Sequence, residues 1–183
     1  KTNFIREWWE SNDKVTLITR PRRFGKTLNM SMLENFFSLQ YAGRGDLFEG
    51  LSIWRSEQYR ELQGTYPVIF LSFANVKEAS YKEARKKIGY TRGLFNSTFK
   101  TNSYLERAVM TGITRINKES IFYDLNNLKV VTTTSEKYSD CFGFTEEEVF
   151  AALDEFGLSG QKQKVKDWYD GFTFGDRGDI YNP

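Results

Sequence analysis

The chain has 183 residues, enough for one domain with a sizeable core and a small appendage. Apolar residues make up 39%, charged residues 27% and aromatics 16%, so the chain can bury a core and still keep aromatic surface for partners. Basic residues exceed acidic ones by two (26 against 24), which gives no support to wholesale nucleic-acid coating; one cysteine and no histidine exclude an internal disulfide, thiolate-rich or histidine-ligated zinc, and every triad that needs imidazole. An all-carboxylate Mg²⁺ site remains open.

In chain order, Phe4, Ile5, Trp8 and Trp9 make an apolar stripe that predicts an amphipathic helix over 3–12. Val15–Thr19 (VTLIT) is a β-branched run suited to a buried strand, and helical periodicity over 26–40 sets Met30, Leu33, Phe36 and Phe37 on one side. A short helix is expected near 55–63. Pro67–Phe73 (PVIFLSF) reads as a second buried strand, with proline tolerated at its first position. Helical stretches follow over 76–88, part of 89–100 and 104–107, with strands at 108–112 (AVMTG) and 129–134 (KVVTTT). Thr145 to Glu148 forms a capping box, Gly157 a C-cap, and a helix over 161–169 leads through Trp168, Tyr169, Asp170 and Gly171 into a Phe-Thr-Phe strand or turn. Strands separated by helices predict an α/β fold with a mostly parallel sheet.

The strongest chemical feature lies between the first strand and its helix. A phosphate-binding loop reads G-x-x-x-x-G-K-[ST]. Arg20 to Thr27 supplies Gly25, Lys26 and Thr27 in register, with Arg20 in place of the first glycine. In such a loop Gly25 lets backbone N–H groups approach phosphate, the helix start favours the same anion, Lys26 reaches the β- and γ-phosphates, and the Thr27 hydroxyl holds Mg²⁺. The competing reading is a basic surface turn that caps an amphipathic helix.

The string Leu17 to Thr27 (LITRPRRFGKT) resembles the opening of the AAA-ATPase-like family of bacterial and archaeal proteins, in which the first loop glycine is commonly absent. The likeness continues in Leu47–Gly50, PVIFLSF at 67–73, TGITRINKESIF at 111–122, LNNLKVVTTTSEKYSD at 125–140, FGFTEEEV at 142–149, WYDGFTFGD at 168–176 and IYNP at 180–183. It implies a P-loop NTPase-like three-layer sandwich over 1–134, carrying the core, and a small helical lid or subdomain over 135–183. It implies ATP and Mg²⁺ as cofactors, bound by residues 20–28: Arg20, Pro21, Arg22, Arg23, Phe24, Gly25, Lys26, Thr27 and Leu28. It also implies an effector domain, fused or associated, of restriction-endonuclease type in longer members.

The acidic strand end that completes such ATPases is not found: PVIFLSF and AVMTG end without a carboxylate, and KVVTTT, followed by Ser135-Glu136, is a poor match because its last residues are polar. The resemblance places it near 86–92, where Lys86-Lys87-Ile88 runs directly into Gly89. Either this sequence omits a segment or the segment is truly deleted. Thr111, at a strand end, is a candidate γ-phosphate sensor or a backbone-bonded hydroxyl. Arg115 is a candidate charge-neutralising residue, in cis or toward a neighbouring subunit, or a plain surface arginine. With Lys26 these form the expected catalytic set. The aromatics of 168–174 read as a lid over the nucleotide or a plug against the sheet edge, and Cys141 as a small buried side chain. The reading is therefore a Mg-ATP-binding, ATP-hydrolysing module that switches an effector; the alternative is a non-catalytic nucleotide-binding or protein-interaction module. Oligomers fit either one, nucleic acid is contacted weakly or indirectly, and no membrane is involved. The absence of a leader or long apolar run points to the cytoplasm, and the abrupt termini, Lys1 and Pro183, to a fragment.

Overall fold

The computed structural model describes residues 1–73, 80–100, 102–113, 125, 127–169 and 171–182. Its centre is β1 (Val15–Thr19), buried at every position. β1 pairs in parallel with β2 (Ala108–Gly112) on one side and β3 (Leu128–Val131) on the other, giving the order β2-β1-β3. The alternation of a strand then divides the core. Ile18 and Val131 face the main cluster, which takes Phe4, Ile5 and Trp8 from α1 (Asn3–Glu10) and Leu33, Phe36 and Phe37 from α2 (Lys26–Phe37). Leu17 joins Leu125 on the opposite face, covered by Phe95 and Phe99 of α4 (Tyr81–Phe99). A mixed α/β architecture around a parallel sheet is thus present, as expected.

α1 is pinned by aromatic edges rather than by caps. Phe4 meets Tyr138 at 5.1 Å and Phe142 at 5.4 Å in edge-to-face geometry, and Trp9 lies 5.0 Å from Phe37. Such pairs add about 0.5–1.5 kcal/mol each beyond the area they bury. α2 ends at Phe37, three residues earlier than its periodicity suggests, because Ser38 turns extended and its side chain accepts from the Gln40 N–H. α3 (Glu57–Leu62) buries Tyr59 and bears out the short helix expected there.

Pro67–Phe73 is not a strand. Among the described residues, pairing near it is limited to a single bridge between Ser38 and Tyr66; Val68 packs against the main core, but Ile69 is 86% exposed and Leu71 62%. A buried strand needs a neighbour on each side, and among the described residues no strand pairs with this run or with the outer edge of β2. Ile69→Lys is therefore expected to change unfolding free energy by no more than about 0.5 kcal/mol, where a buried isoleucine would cost several. A denaturant titration distinguishes the two.

The expectations for 104–107 and for the end of the strand at 129–134 are corrected. Residues 104–107 form turn and extended chain, with Tyr104 97% exposed. β3 stops at Val131 because Ser135 Oγ accepts from the Thr132 N–H and the Ser135 N–H returns to Thr132 O, closing a turn. Residues 86–92, where the resemblance places the acidic strand end, fall within α4, which begins at a Ser80 cap.

The C-terminal part is not simply helical. β4 (Phe144–Thr145), β5 (Phe172–Phe174) and β6 (Arg177–Tyr181) form a second, antiparallel sheet of order β4-β6-β5. α5 (Glu146–Glu155) and α6 (Lys162–Tyr169) lie between its strands in sequence. α5 starts with the expected capping box: Thr145 Oγ1 accepts from the Glu148 N–H, and Glu148 Oε2 accepts from the Thr145 N–H. Thr145→Ala should cost about 1 kcal/mol, measurable as a lower midpoint in thermal unfolding. Phe142, Phe174 and Ile180 share the main core cluster with α1 and α2.

Candidate functional site

The loop leaves β1 at Thr19 and enters α2 at Lys26. Two of its residues hold left-handed backbone, Arg23 (φ 65°) and Gly25 (φ 66°). That conformation is natural for Gly25 and strained for an arginine, and strain of this kind collects at sites that bind. Gly25 stands at the N-cap of α2 with no side-chain cap, and the first turn carries no acidic residue. The helix thus presents its positive end and its first-turn N–H groups where Thr27 and Leu28 are exposed. A helix start of this kind, without a cap, is a ready place for phosphate.

Lys26 is half-buried and folds back over the loop, its Nζ donating to Arg20 O at 3.0 Å and to Pro21 O. Burial, and then the neighbouring Arg22 charge, lower its pKa from the ordinary lysine value. An anion within the loop would oppose both effects. Arg22 and Arg23 are exposed, and Pro21 is half-buried. Phe24 is fully buried: its ring meets Phe172 at 4.8 Å and Phe174 at 5.2 Å, fixing the loop to β5.

Arg20 differs most from its expected part. Its side chain is fully buried. Nη1 donates to Thr19 O and Thr132 O, and Nη2 to Lys137 O and Tyr138 O, so its four acceptors are all main-chain carbonyls. The guanidinium lies 4.6 Å over the Phe174 ring and 5.5 Å from that of Phe142. Burial pulls its pKa down to about 10, still leaving it charged at neutral pH. Only the main chain of Arg20 faces the loop; its charge is spent inward. The sequence carries a weak signal for this, namely an arginine at a position that usually requires glycine.

Thr111 sits beside Ile18 in register, half-buried, one position before Gly112, whose carbonyl accepts from the Arg20 N–H. The structure thus brings the end of β2 to the first residue of the loop. Arg115 and Asp170 lie outside the described residues. Trp168 and Tyr169 are 78% and 57% exposed, so the plug on this side of the core is Phe174, not the tryptophan. Cys141 is buried, as expected, and burial beside Glu7 and Asp140 pushes its thiol well above the ordinary range, leaving it inert.

The basic segment Lys162–Lys166 is partly spent on local pairs. Lys162 meets Asp154 and Lys166 meets Glu146, each across 2.7 Å or less. A depression lined by Glu136, Glu146, Glu147, Asp176 and Asp179 has the wrong sign for a nucleotide. No helix among the described residues is long and apolar enough to cross a membrane.

A glycine-lysine-threonine turn joining the middle strand of a parallel sheet to an uncapped helix defines a P-loop-like α/β protein. A family model described as "Predicted AAA-ATPase" matches residues 1–92, and the chain belongs to this AAA-ATPase-like family. It is also 27% identical over 92 residues to the "Uncharacterized protein in vnfD 5'region" of Azotobacter chroococcum mcd 1. That alignment covers 50% of this chain and 17% of the relative, so the chain spans well under two thirds of the length of the curated relative it matches. No solved structure matches.

Proposed function

We propose that the chain is a nucleotide-binding module that takes ATP with Mg²⁺ on the loop from Arg20 to Leu28. The observation that carries this reading is the loop itself. Gly25 is left-handed at the N-cap of α2, no acidic side chain occupies that helix start, and among the described residues Lys26 Nζ donates to its own loop carbonyls alone. Bound there, the triphosphate would draw Lys26 Nζ from those carbonyls onto its β- and γ-oxygens. The first-turn amides would meet the same charge, and the exposed Thr27 hydroxyl would be the chain's ligand to Mg²⁺. The metal, when bound, screens the phosphate charge that otherwise resists attack at the terminal phosphorus. The P-loop NTPase-like three-layer arrangement, with its core over 1–134, belongs to this same reading.

Hydrolysis is the second reading and is assigned to the intact protein. It needs a carboxylate at a strand end beside the loop, and the described strands that flank β1 end in Thr111-Gly112 and Val130-Val131. In this chain, binding without turnover is therefore the favoured behaviour. Thr111 would then orient the terminal phosphate, with Arg115 as an added positive charge, and binding would switch an attached effector. Calorimetric titration with MgATP, paired with a phosphate-release assay, tests both. Saturable binding with no release supports the binding module. Release that rises with protein concentration favours hydrolysis, and no heat at all removes the function.

A further inference from the structure

Two residues of the loop are tied to the same distant strand. Arg20, the first loop position, lays its guanidinium over Phe174 and donates to carbonyls at 132, 137 and 138. Phe24, the fifth, sets its ring edge against Phe172 and Phe174 of β5. Their shared partner, Phe174, is fully buried, and the Gly175 N–H donates to Thr133 O, closing the hairpin onto the segment that Arg20 holds.

A charged side chain is costly to bury, and these contacts repay the cost only while every carbonyl stays in place. Among the described residues Arg20 Nε is buried without a partner, a further cost that the four Nη contacts have to offset. Lys26, another of the loop's four cations, rests on the carbonyl of this same Arg20. Any ligand that lifts Lys26 off that carbonyl changes the hold on the residue whose side chain secures the hairpin.

Resting on the nucleotide-binding reading above, we propose that Arg20 is a positioning residue that couples the occupancy of the loop to the hairpin β5–β6. It contacts the C-terminal sheet with its side chain and Lys26 with its main chain. Loop and hairpin consequently stabilise each other, and a ligand at one is felt at the other. Because coupling is reciprocal, a hairpin fixed by a partner would in turn raise nucleotide affinity.

The test is hydrogen–deuterium exchange of amides 172–181 in the 183-residue chain, with and without saturating MgATP, beside calorimetric affinity. In the unsubstituted chain MgATP is expected to slow these amides about fivefold. Arg20→Lys keeps the charge but loses the forked donor set, and should weaken MgATP about tenfold while abolishing the slowing at saturation. Phe174→Leu removes the shared aromatic face from the other side and should abolish it as well, which keeps the test decisive if the lysine variant folds poorly. A merely structural arginine would lower stability in both variants and leave the MgATP-dependent slowing intact, and that result would overturn the proposal. So would MgATP binding to the unsubstituted chain with unchanged hairpin exchange. If the unsubstituted chain takes no MgATP, the function itself falls, an outcome separate from both.

Discussion

Lys26→Ala is expected to lower MgATP affinity by about 100-fold or more while the chain stays folded. A tenfold change corresponds to about 1.4 kcal/mol, so this is a loss of about 3 kcal/mol, within reach of one charge-assisted contact to phosphate in a partly desolvated loop. The cost to the fold is smaller. Removing Nζ takes a donor from Arg20 O and Pro21 O at the surface of the loop, where water replaces it, at roughly 1 kcal/mol. Burial and Arg22 already disfavour the lysine charge, so part of this loss is offset by the relief of repulsion. Calorimetry and circular dichroism on one preparation separate the effects. Affinity within threefold of the unsubstituted chain would remove the loop as the nucleotide site.

The second large effect concerns stability. Gly143 has φ 79°, and a Cβ placed on it would stand 2.7 Å from Tyr181 O, 2.8 Å from the Phe24 ring and 2.9 Å from Ile180. None of these can easily give way, since one is β6 backbone and the others are fully buried side chains. Gly143→Ala should therefore destabilise by about 2–4 kcal/mol, combining left-handed strain with overpacking. At this chain length each kcal/mol moves the melting temperature by roughly 2–4 °C, so the drop is plain in a thermal scan. Because the clash falls on Phe24, nucleotide affinity should fall with it. An unchanged Tm would mean that β6 and the loop do not meet at Gly143.

Much of this arrangement was legible in the sequence where the signal is local. The β-branched run of β1, the Gly-Lys-Thr turn, the periodicity of α2 and the Thr145–Glu148 box each specify structure within a few residues. What escaped depends on distant partners. Arg20 is expected in the phosphate site because the resemblance counts it with the loop; three of its four acceptors lie 112 to 118 positions away. β4 has two residues, and β6 opens with Arg-Gly-Asp, so neither carries a strand pattern of its own; they form because each pairs with the other. Pro67–Phe73 shows the converse. Its pattern is that of a buried strand, and periodicity cannot say whether a neighbour is there to receive it.

That exposed run also governs how the chain behaves in a crowded solution. Val68 to Phe73 is six consecutive residues without charge or proline, rich in β-branched and aromatic side chains, with Ile69, Phe70, Leu71 and Phe73 all open to solvent. Such a segment has the composition of a steric zipper, in which copies from separate molecules stack 4.7–4.8 Å apart along a fibre. Nearby charge is the main defence against that stacking, and the run contains none. Covering this run, or placing a charge within it, is therefore expected to raise the concentration at which the chain stays dispersed.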